Sequence, residues 1–491
     1  MSTEIVLIKY SGPRKYFDVF FPDLGLAYLG AVIRERGHKC TVFDLDIQRM
    51  QECVDYIKIH KPTLIGFKVY ASGILEILRL AAELRKVSSK SILMAGGPHV
   101  TMFQEHLFHV TNEFDILFVG EGELSFPQLL EFAEGKRDLE EINNIIYRKD
   151  GTIQKTKRIL LENLDNLPMP AWDIFDLKRY FPVFMLNMVR GCPYSCAFCT
   201  HNYLWGLKTS LNKGNVEFSP WVRRRTFEHI KREILSDIQQ YGARCFSLAD
   251  STPDVSLMNS FADLILEHAN KTKWVSFGLV SLFNEETLKK LAQAGCVCLW
   301  YGIESGDDNL LKKMGKPFCV KDIEETIKAV KNVGIKAVVG IIVGFPGDNE
   351  ASVQKSLRLV KHLGADVVVL SPFELDPGSQ VAHKPDLYNV RLANDWKDRI
   401  ALECDSIESN IEYYYVDGDS NYERWNKFKR LINLPGLDED RKVTESEYIF
   451  LLADLLNIEY RTFMDEVDKI LKSGNVKKLQ LLIDKCWEAS K

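Results

Sequence analysis

Apolar and polar residues alternate with two different periods along the first 135 residues of the chain. Short apolar runs predict buried strands, and segments with an apolar residue every three or four positions predict amphipathic helices. The predicted strands are residues 5–9, 40–45, 64–67, 92–95 and 116–119, and the predicted helices are 24–36, 74–87 and 124–134. Strands that alternate with helices in this way indicate a doubly wound, flavodoxin-like parallel sheet in an α/β domain. Such a sheet binds ligands at the carboxyl ends of its strands.

A second run of alternating elements fills the middle of the chain. The predicted strands are 185–189, 245–248, 275–279, 297–300, 337–343 and 367–370, with helices predicted at 226–241, 285–294, 320–333 and 351–363. Six such units favour an open, partial (β/α)6 barrel, in which chemistry takes place at the carboxyl ends of the strands. Beyond residue 386 the pattern becomes helical, over 394–407, 422–431, 445–471 and 476–489.

These patterns predict four parts of the chain. An N-terminal domain spans residues 1–138. A linker spans 139–184 and contains a predicted hairpin that turns at Asp150 and two prolines, at 168 and 170. The partial barrel spans 185–385, and a helical C-terminal region spans 386–491. No motif is recognised in that last region, and we expect it to help determine the substrate.

Composition limits the possible partners. The chain has 491 residues, of which 46% are hydrophobic and 27% charged, and its net charge of −5 offers no basic field for nucleic acid. Its 11 cysteines are scattered and odd in number, which favours a reducing compartment over a disulfide framework. No apolar stretch reaches the ~18 residues that span a bilayer, and the N-terminus lacks the pattern of a signal peptide. We therefore expect a cytoplasmic protein without a membrane span.

Three cysteines close together carry the most specific chemical signal. Cys192, Cys196 and Cys199 have the spacing C-x3-C-x2-C, which can hold three irons of a [4Fe–4S] cluster. No fourth cysteine lies nearby, so one iron would stay open for a ligand. The alternatives are buried free thiols or a structural zinc site with His201 as fourth ligand, although that ligand spacing is unusual for zinc.

The motif and its neighbours Pro193, Tyr194 and Phe198 resemble the radical S-adenosylmethionine (SAM) enzymes. The resemblance implies that the open iron binds the amino and carboxyl groups of SAM, and that one electron splits SAM to release a 5′-deoxyadenosyl radical. It also implies SAM contacts at the strand ends: Asp250 with the amino group, Glu304 and Ser305 with the ribose or amino-acid part, and Gly344 with adenine. Ser281 is a further candidate. Taken singly, each of these residues could be a simple cap or turn residue.

The N-terminal domain resembles the cobalamin-binding domain that precedes many radical SAM domains. The similar segments are residues 22–29, 36–38, 95–99 and 120–123. The resemblance implies cobalamin-binding residues in the loops after the strands: Ser72, Gly96, Gly97, His99, Gly120 and Glu121. The loop 10–23 contains no His to coordinate cobalt from below, so Tyr16 or Phe17 is the candidate for that face. A domain that no longer binds the cofactor is the alternative.

The two resemblances together imply a cobalamin-dependent radical SAM enzyme. Its cofactors would be a [4Fe–4S] cluster, SAM and cobalamin, and an electron donor such as flavodoxin or ferredoxin would reduce it. The implied reaction is methyl transfer to an unactivated carbon of a small molecule or peptide, with catalytic residues unknown. The alternatives are a cobalamin-dependent rearrangement or cyclisation, a radical SAM enzyme with a vestigial cobalamin domain, and a SAM- or cobalamin-sensing protein.

Overall fold

The computed structural model describes residues 3–12, 20–205, 207–212, 215–269, 271–402, 412–432 and 447–491, with the backbone alone described for 207–212 and 215–220. The chain forms two compact units. The first comprises Met1–Arg14, Pro22–Leu177 and Asn394–Ile411, and the second comprises Lys15–Phe21, Lys178–Ala393 and Glu412–Lys491. Within the described ranges, no helix has the length and apolar character needed to cross a membrane.

The first unit alternates strands and helices through most of its length. Its elements are β1 (Glu4–Tyr10), α1 (Leu24–Glu35), β2 (Lys39–Asp44), α2 (Met50–His60), β3 (Leu64–Val69), α3 (Ile74–Val87), β4 (Ile92–Gly96), α4 (Pro98–Phe103), α5 (His106–Val110), β5 (Ile116–Phe118), α6 (Gly122–Ala133), β6 (Ile145–Lys149) and β7 (Thr152–Lys155). Every predicted strand is present, whereas α2, α4 and α5 were not predicted.

One seven-stranded sheet organises this unit, in the order β2-β1-β3-β4-β5-β6-β7. The first five strands are parallel and have the flavodoxin-like order, which confirms the predicted doubly wound sheet. The strands β6 and β7 form an antiparallel hairpin that pairs with β5, so the hairpin predicted in the linker extends the sheet and makes it mixed. The order reverses at β1, and ligands bind such sheets at that switch point.

The second unit contains the other sheets and most of the remaining helices. Its elements up to residue 392 are β8 (Val183–Leu186), β9 (Val189–Arg190), α7 (His201–Trp205), β10 (Leu207–Asn212), β11 (Asn215–Pro220), β12 (Arg223–Arg224), α8 (Phe227–Tyr241), β13 (Cys245–Leu248), α9 (Val255–His268), β14 (Lys273–Gly278), α10 (Glu285–Gln293), β15 (Cys296–Glu304), α11 (Asp308–Met314), α12 (Val320–Asn332), β16 (Lys336–Val343), α13 (Glu350–Leu363), β17 (Val367–Pro372), α14 (Gln380–His383) and β18 (Val390–Leu392).

Six parallel strands form the main sheet of this unit, in the order β17-β16-β15-β14-β13-β8. This confirms the predicted six-stranded parallel arrangement. Phe246 and Trp274 pack on Phe261 of α9, so one face of the sheet is covered by the crossover helices. Because side chains alternate along a strand, Ser247 and Phe277 lie on the opposite face.

The C-terminal elements are divided between the two units. They are α15 (Trp396–Leu402), β19 (Tyr414–Val416), β20 (Asp419–Ser420), α16 (Asn421–Lys429), α17 (Glu447–Leu455), α18 (Tyr460–Ser473) and α19 (Val476–Ala489). The helix α15 packs on α4 in the first unit. The single helix predicted at 445–471 is wrong, because Asn457 adopts a left-handed φ of 53° between α17 and α18.

The helix α17 covers part of the open face of the six-stranded sheet. It contacts β14 and β15, and the hydroxyl groups of Tyr448 and Ser247 lie 3.2 Å apart. Nearer the carboxyl ends on the same face, Phe277 is 38% exposed and Trp300 is half-buried. The amino half of this face is therefore covered by α17, and the side chains of Phe277 and Trp300 are partly exposed beyond it.

Candidate functional site

The cysteine loop, residues 192–199, begins where β9 ends. Gly191 precedes it with a φ of 93°, and a Cβ atom there would lie 2.0 Å from the carbonyl oxygen of Trp221. This close approach comes from the antiparallel pairing of β9 with β12. Only glycine fits both the left-handed backbone and the contact, so residue 191 fixes how the chain enters the loop.

Two helices hold the cysteine loop from its other side. The Ala197 N–H donates to the carbonyl of Met314 at the end of α11 (2.8 Å), and the Ala197 carbonyl accepts from Val381 in α14 (3.1 Å). Gly315 ends α11 with a φ of 77°, and a Cβ atom there would lie 3.3 Å from the carbonyl oxygen of Ser195. The loop is thus anchored by backbone hydrogen bonds that do not involve its thiols.

The three thiols have the surroundings expected of cluster ligands. Cys192 Sγ lies 2.9 Å from Thr252 Oγ1, and Cys199 Sγ accepts the His201 N–H at 3.4 Å. Burial raises the pKa of Cys199 to about 11 and also raises the pKa of Cys196, while the nearby positive charge of Lys316 opposes both shifts. Hydrogen bonds to sulfur and partial burial are features of Fe–S sites, and this donor set fits a three-cysteine [4Fe–4S] cluster.

His201, the possible fourth zinc ligand, has a different partner. Its Nδ1 lies 2.7 Å from the Ser251 hydroxyl, and burial lowers its pKa to about 4, so the ring is neutral at pH 7. In the part of the chain that the structure describes, no three His, Cys, Asp or Glu side chains are arranged around a single metal ion, whereas the three thiolates of a [4Fe–4S] site each bind a different iron.

Asp250 lies just beyond β13 and is buried. Its Oδ1 accepts hydrogen bonds from the N–H groups of Met188 and Val189 (both 2.8 Å) and from Asn187 Nδ2 (2.9 Å). Its Oδ2 has no hydrogen-bond partner among the described residues. Burial raises the pKa of Asp250 to about 7. One oxygen therefore fixes the segment that leads into the cysteine loop, and the other is buried without a hydrogen-bond partner among the described residues.

Glu304 ends β15 with a left-handed φ of 61° and is buried. Its Oε1 forms an ion pair with Lys316 Nζ at 2.9 Å. A Cβ atom on Gly302 would lie 2.4 Å from the same oxygen, so any larger residue there would displace the Glu304 carboxylate from its present position. Sequence reasoning identified Glu304 but missed Lys316, whose only sequence signal is its position just after the glycine that ends α11.

The other predicted SAM contacts have local partners. The Ser305 hydroxyl accepts the N–H of Asp307 at the start of α11 (3.1 Å), and the backbone N–H of Ser281 donates to Thr326 Oγ1 (3.0 Å). The Gly344 carbonyl accepts from Arg424 Nε (2.8 Å), which sequence reasoning missed. The structure thus places Ser305 and Ser281 in capping and loop contacts, and it ties the Gly344 turn to α16.

In the first unit, charged residues are paired at the carboxyl ends of the strands. Lys9 Nζ lies 3.1 Å from Asp44 and 2.9 Å from Asp46, and Lys68 Nζ lies 2.6 Å from Asp23. Burial raises the pKa of Asp23, but the charges of Lys68 and Lys9 outweigh it and hold the pKa at about 2. These ion pairs stabilise the edge of the sheet at which its ligands are expected to bind.

The predicted cobalamin-binding loops are brought together at this edge. Gly120 N–H donates to Thr101 Oγ1 (2.9 Å), and Thr101 Oγ1 donates to the Gly97 carbonyl (2.9 Å). Gly97 has a φ of 98°, and a Cβ atom there would lie 3.1 Å from the Val69 carbonyl oxygen. The Ser72 hydroxyl donates to the Ser11 carbonyl, which joins the loops after β1 and β3. Loops that follow β1, β3, β4 and β5 therefore share one edge.

The remaining candidates in this unit differ in their surroundings. His99 is buried, both ring nitrogens have no partner among the described residues, and burial lowers its pKa to about 3. These orphaned nitrogens fit a site that a ligand would complete. Glu121 Oε2 accepts the Leu161 N–H (2.6 Å), and Gly96 ends β4. Tyr16 and Phe17 lie outside the described residues.

The two units match two known protein families. Residues 16–130 match the B12 binding domain, and residues 186–360 match the Radical SAM superfamily. The second match covers the cysteine loop and favours an iron–sulfur cluster over a zinc site.

Relatives match over most of their length. The chain is 25% identical over 392 residues to an uncharacterised methyltransferase of Pyrococcus horikoshii, which covers 78% of this chain and 82% of that protein. It is 24% identical over 493 residues to cytidylyl-2-hydroxyethylphosphonate methyltransferase of Streptomyces wedmorensis, covering 86% and 84%. It is 23% identical over 362 residues to anaerobic magnesium-protoporphyrin IX monomethyl ester cyclase of Synechocystis, covering 71% and 70%.

A solved structure has the same fold over nearly the whole chain. The radical SAM methyltransferase TsrM from Kitasatospora setae, with cobalamin and a [4Fe–4S] cluster bound, aligns with a TM-score of 0.70 at 17% identity. The alignment covers 96% of this chain and 100% of that chain.

Proposed function

We propose that this chain, which is a cobalamin-dependent radical SAM enzyme with a B12-binding domain, transfers a methyl group to an unactivated carbon of a small molecule or peptide. The observation that carries the proposal is the match, over more than four-fifths of their length, to two relatives named as methyltransferases. The domain limits proposed are those of the sequence analysis: 1–138, 139–184, 185–385 and 386–491.

We assign the cluster to Cys192, Cys196 and Cys199. When bound, the cluster supplies the electron that splits SAM into methionine and a 5′-deoxyadenosyl radical, and cobalamin relays the methyl group. The thiol surroundings support this assignment, because Thr252 and the His201 N–H each lie against a thiol sulfur and α11 and α14 hold the loop backbone. Flavodoxin or ferredoxin is the proposed electron donor.

We assign the orientation of SAM to Asp250 and Glu304. A carboxylate is a strong acceptor for an ammonium group, and Asp250 Oδ2 is a buried oxygen with no partner among the described residues. Glu304 lies at the end of the next strand but one along the chain and is held by Lys316. Both carboxylates belong to carboxyl ends of parallel strands, where barrels of this kind place their chemistry.

We assign cobalamin to the edge of the first sheet, in the loops that contain Ser72, Gly97, His99 and Gly120. The unpartnered nitrogens of His99 and the close backbone packing at Gly97 support the assignment. The sequence of the loop 10–23 offers no imidazole to the lower face of cobalt.

A second candidate function is cobalamin-dependent cyclisation without methyl transfer. It is favoured by one observation, the relative of Synechocystis that is named as a cyclase. The two functions differ in what becomes of SAM. Donation of a methyl group turns SAM into S-adenosylhomocysteine, whereas radical formation alone turns it into 5′-deoxyadenosine and methionine.

The experiment follows both products in anaerobically reconstituted protein with a chemical reductant and SAM, with and without cobalamin. Methyl transfer predicts S-adenosylhomocysteine that depends on cobalamin, together with 5′-deoxyadenosine. If only 5′-deoxyadenosine forms, methyl transfer is excluded and the cyclisation proposal replaces it. If neither product forms while the cluster is intact and reduced, a sensing protein replaces both.

A further inference from the structure

Lys316 is a buried cation beside the cysteine loop. Its Nζ lies 2.9 Å from Glu304 Oε1 and donates to the Gly302 carbonyl oxygen at 3.1 Å. The side chains of Lys316 and Glu304 are only 9% and 11% exposed. A buried charge is costly unless it is paired and hydrogen-bonded, so this position requires a cation with the partners that the structure provides.

Two aromatic rings complete the surroundings of Lys316. Its Nζ lies 5.3 Å from the ring centre of Phe198 and 5.6 Å from that of Phe318. Both distances are within the range of cation–π interactions. Phe198 precedes the last cysteine of the loop, so Lys316 contacts the carboxyl end of β15 and the cysteine loop at the same time.

The backbone around Lys316 is fixed in the same place. Its N–H donates to the Leu311 carbonyl (3.0 Å), and the preceding residue, Gly315, packs against the loop backbone. The end of α11 therefore determines where the ammonium group of Lys316 lies, and this side chain differs from a flexible lysine on the surface.

The ammonium group of Lys316 thus lies between two groups of opposite character. On one side it pairs with the Glu304 carboxylate, and on the other it faces the ring of Phe198, the residue that precedes Cys199.

We propose that Lys316 is a positioning residue that holds Glu304 at the carboxyl end of β15 and raises the reduction potential of the cluster carried by the adjacent cysteines. The proposal rests on the proposed function in one respect, because it needs the three cysteines to hold the cluster. Reduction adds an electron to the cluster, and a nearby cation in a buried site stabilises the added charge.

The test is a redox titration of the anaerobically reconstituted holoprotein without SAM, followed by EPR of the reduced cluster. Lys316→Gln should give a more negative midpoint potential, and Lys316→Arg should keep the potential of the parent. Glu304→Gln should give a more positive potential, because it leaves the cation unopposed. The control is Lys336→Gln, since Lys336 pairs with Asp366 (3.1 Å) at the amino end of β16, and its potential should equal that of the parent.

SAM affinity gives a second readout. A purely structural role of Lys316 would not predict that the Gln variant loses affinity while the Arg variant keeps it. Lys316→Gln should weaken SAM binding about tenfold because Glu304 loses its anchor, and Lys316→Arg should restore it. Equal midpoint potentials in Lys316→Gln and the parent, or an equal shift in Lys336→Gln, would overturn the proposal. If Lys316→Gln does not retain iron, the Glu304→Gln titration decides, and the absence of a positive shift overturns it. A parent protein that binds no cluster would instead refute the proposed function.

Discussion

Replacement of Asp250 by Asn separates two tasks that the structure assigns to one carboxyl group. Oδ1 accepts three hydrogen bonds from residues 187–189, and Oδ2 is the oxygen proposed to bind the SAM ammonium. Asn keeps an oxygen for the three donors and removes the negative charge. Ala removes both. We therefore expect Asp250→Asn to fold and bind iron like the parent while it binds SAM poorly.

The magnitudes of the two effects differ. Loss of a charge-assisted hydrogen bond costs ~1.5–3 kcal/mol, which corresponds to roughly a ten- to hundredfold weaker affinity for SAM. Asp250→Ala should show the same loss of affinity and should also destabilise the fold, since the N–H groups of Met188 and Val189 lose their acceptor. Each buried N–H without a partner costs about 1–3 kcal/mol, so the free energy of unfolding should fall by about 2–6 kcal/mol.

The assay is equilibrium binding of SAM to anaerobically reconstituted protein. It is measured from about pH 6 to about pH 8.5, so that the range extends to both sides of a pKa near 7. Burial raises the pKa of Asp250 to about 7, and only the carboxylate attracts an ammonium group. The affinity of the parent for SAM should therefore increase as the pH rises through 7. The Asp250→Asn variant should lack the part of this increase that comes from deprotonation of Asp250. Asp366→Asn is the control, because Asp366 accepts the Ala337 N–H (3.0 Å) at the amino end of the sheet.

The same pKa gives a stability prediction of opposite sign. A carboxyl whose pKa is higher in the folded state than in the unfolded state binds a proton more tightly when folded, so it favours folding at low pH. Its contribution should be present below pH ~4 and lost as the pH rises through 7.

The reasoning on Asp250 as a SAM ligand is refuted if Asp250→Asn binds SAM as tightly as the parent at about pH 8, or if Asp366→Asn loses as much affinity for SAM.

Three further predictions concern the cluster, the loop and cobalamin. Replacing all three motif cysteines by Ala should abolish both the ~4 irons per chain and SAM cleavage, and a full iron content in that variant would contradict the ligand assignment. Gly315→Ala should lower the free energy of unfolding by ~1–2 kcal/mol because of its left-handed backbone, and by a further amount because the new Cβ would press on the Ser195 carbonyl. Gly334→Ala is the matched control, because Gly334 has a φ of 83° and no atom lies within 4 Å of the position that its Cβ would take. Equal melting temperatures of the two variants would contradict the contact with Ser195. Bound cobalamin should show no nitrogen hyperfine coupling from protein His in its EPR spectrum, and such a coupling from ¹⁵N-labelled His would contradict the absence of a lower His ligand.

Strong periodicity made part of the fold predictable. The strand β13 and the helices α3 and α19 have the predicted bounds, because each has a clear apolar pattern that ends at polar or turn-forming residues. The break between α17 and α18 was not predictable in this way. It depends on the left-handed conformation of Asn457, a local backbone choice that leaves no trace in apolar periodicity.

The residues of the candidate site likewise fall into those that the sequence alone could identify and those that it could not. The cysteines could be identified because all three ligands lie on one short loop, and spacing alone describes them. Lys316 and Arg424 could not, since their contacts with Glu304 and with the Gly344 turn exist only after distant segments pack together. Asp250 was predicted at its strand end, but its three hydrogen bonds to residues 187–189 became visible only in the folded chain.

The helix α17 has a consequence for how enzymes of this architecture diversify. It forms a floor against β14 and β15, with Tyr448 reaching Ser247, and it carries none of the residues assigned to the cluster or to SAM. A change of side-chain size on this helix would alter how the amino half of this face is packed without changing any residue assigned to the cluster or to SAM. The packing of the sheet can thus vary during evolution while the residues proposed to bind the cofactors stay the same.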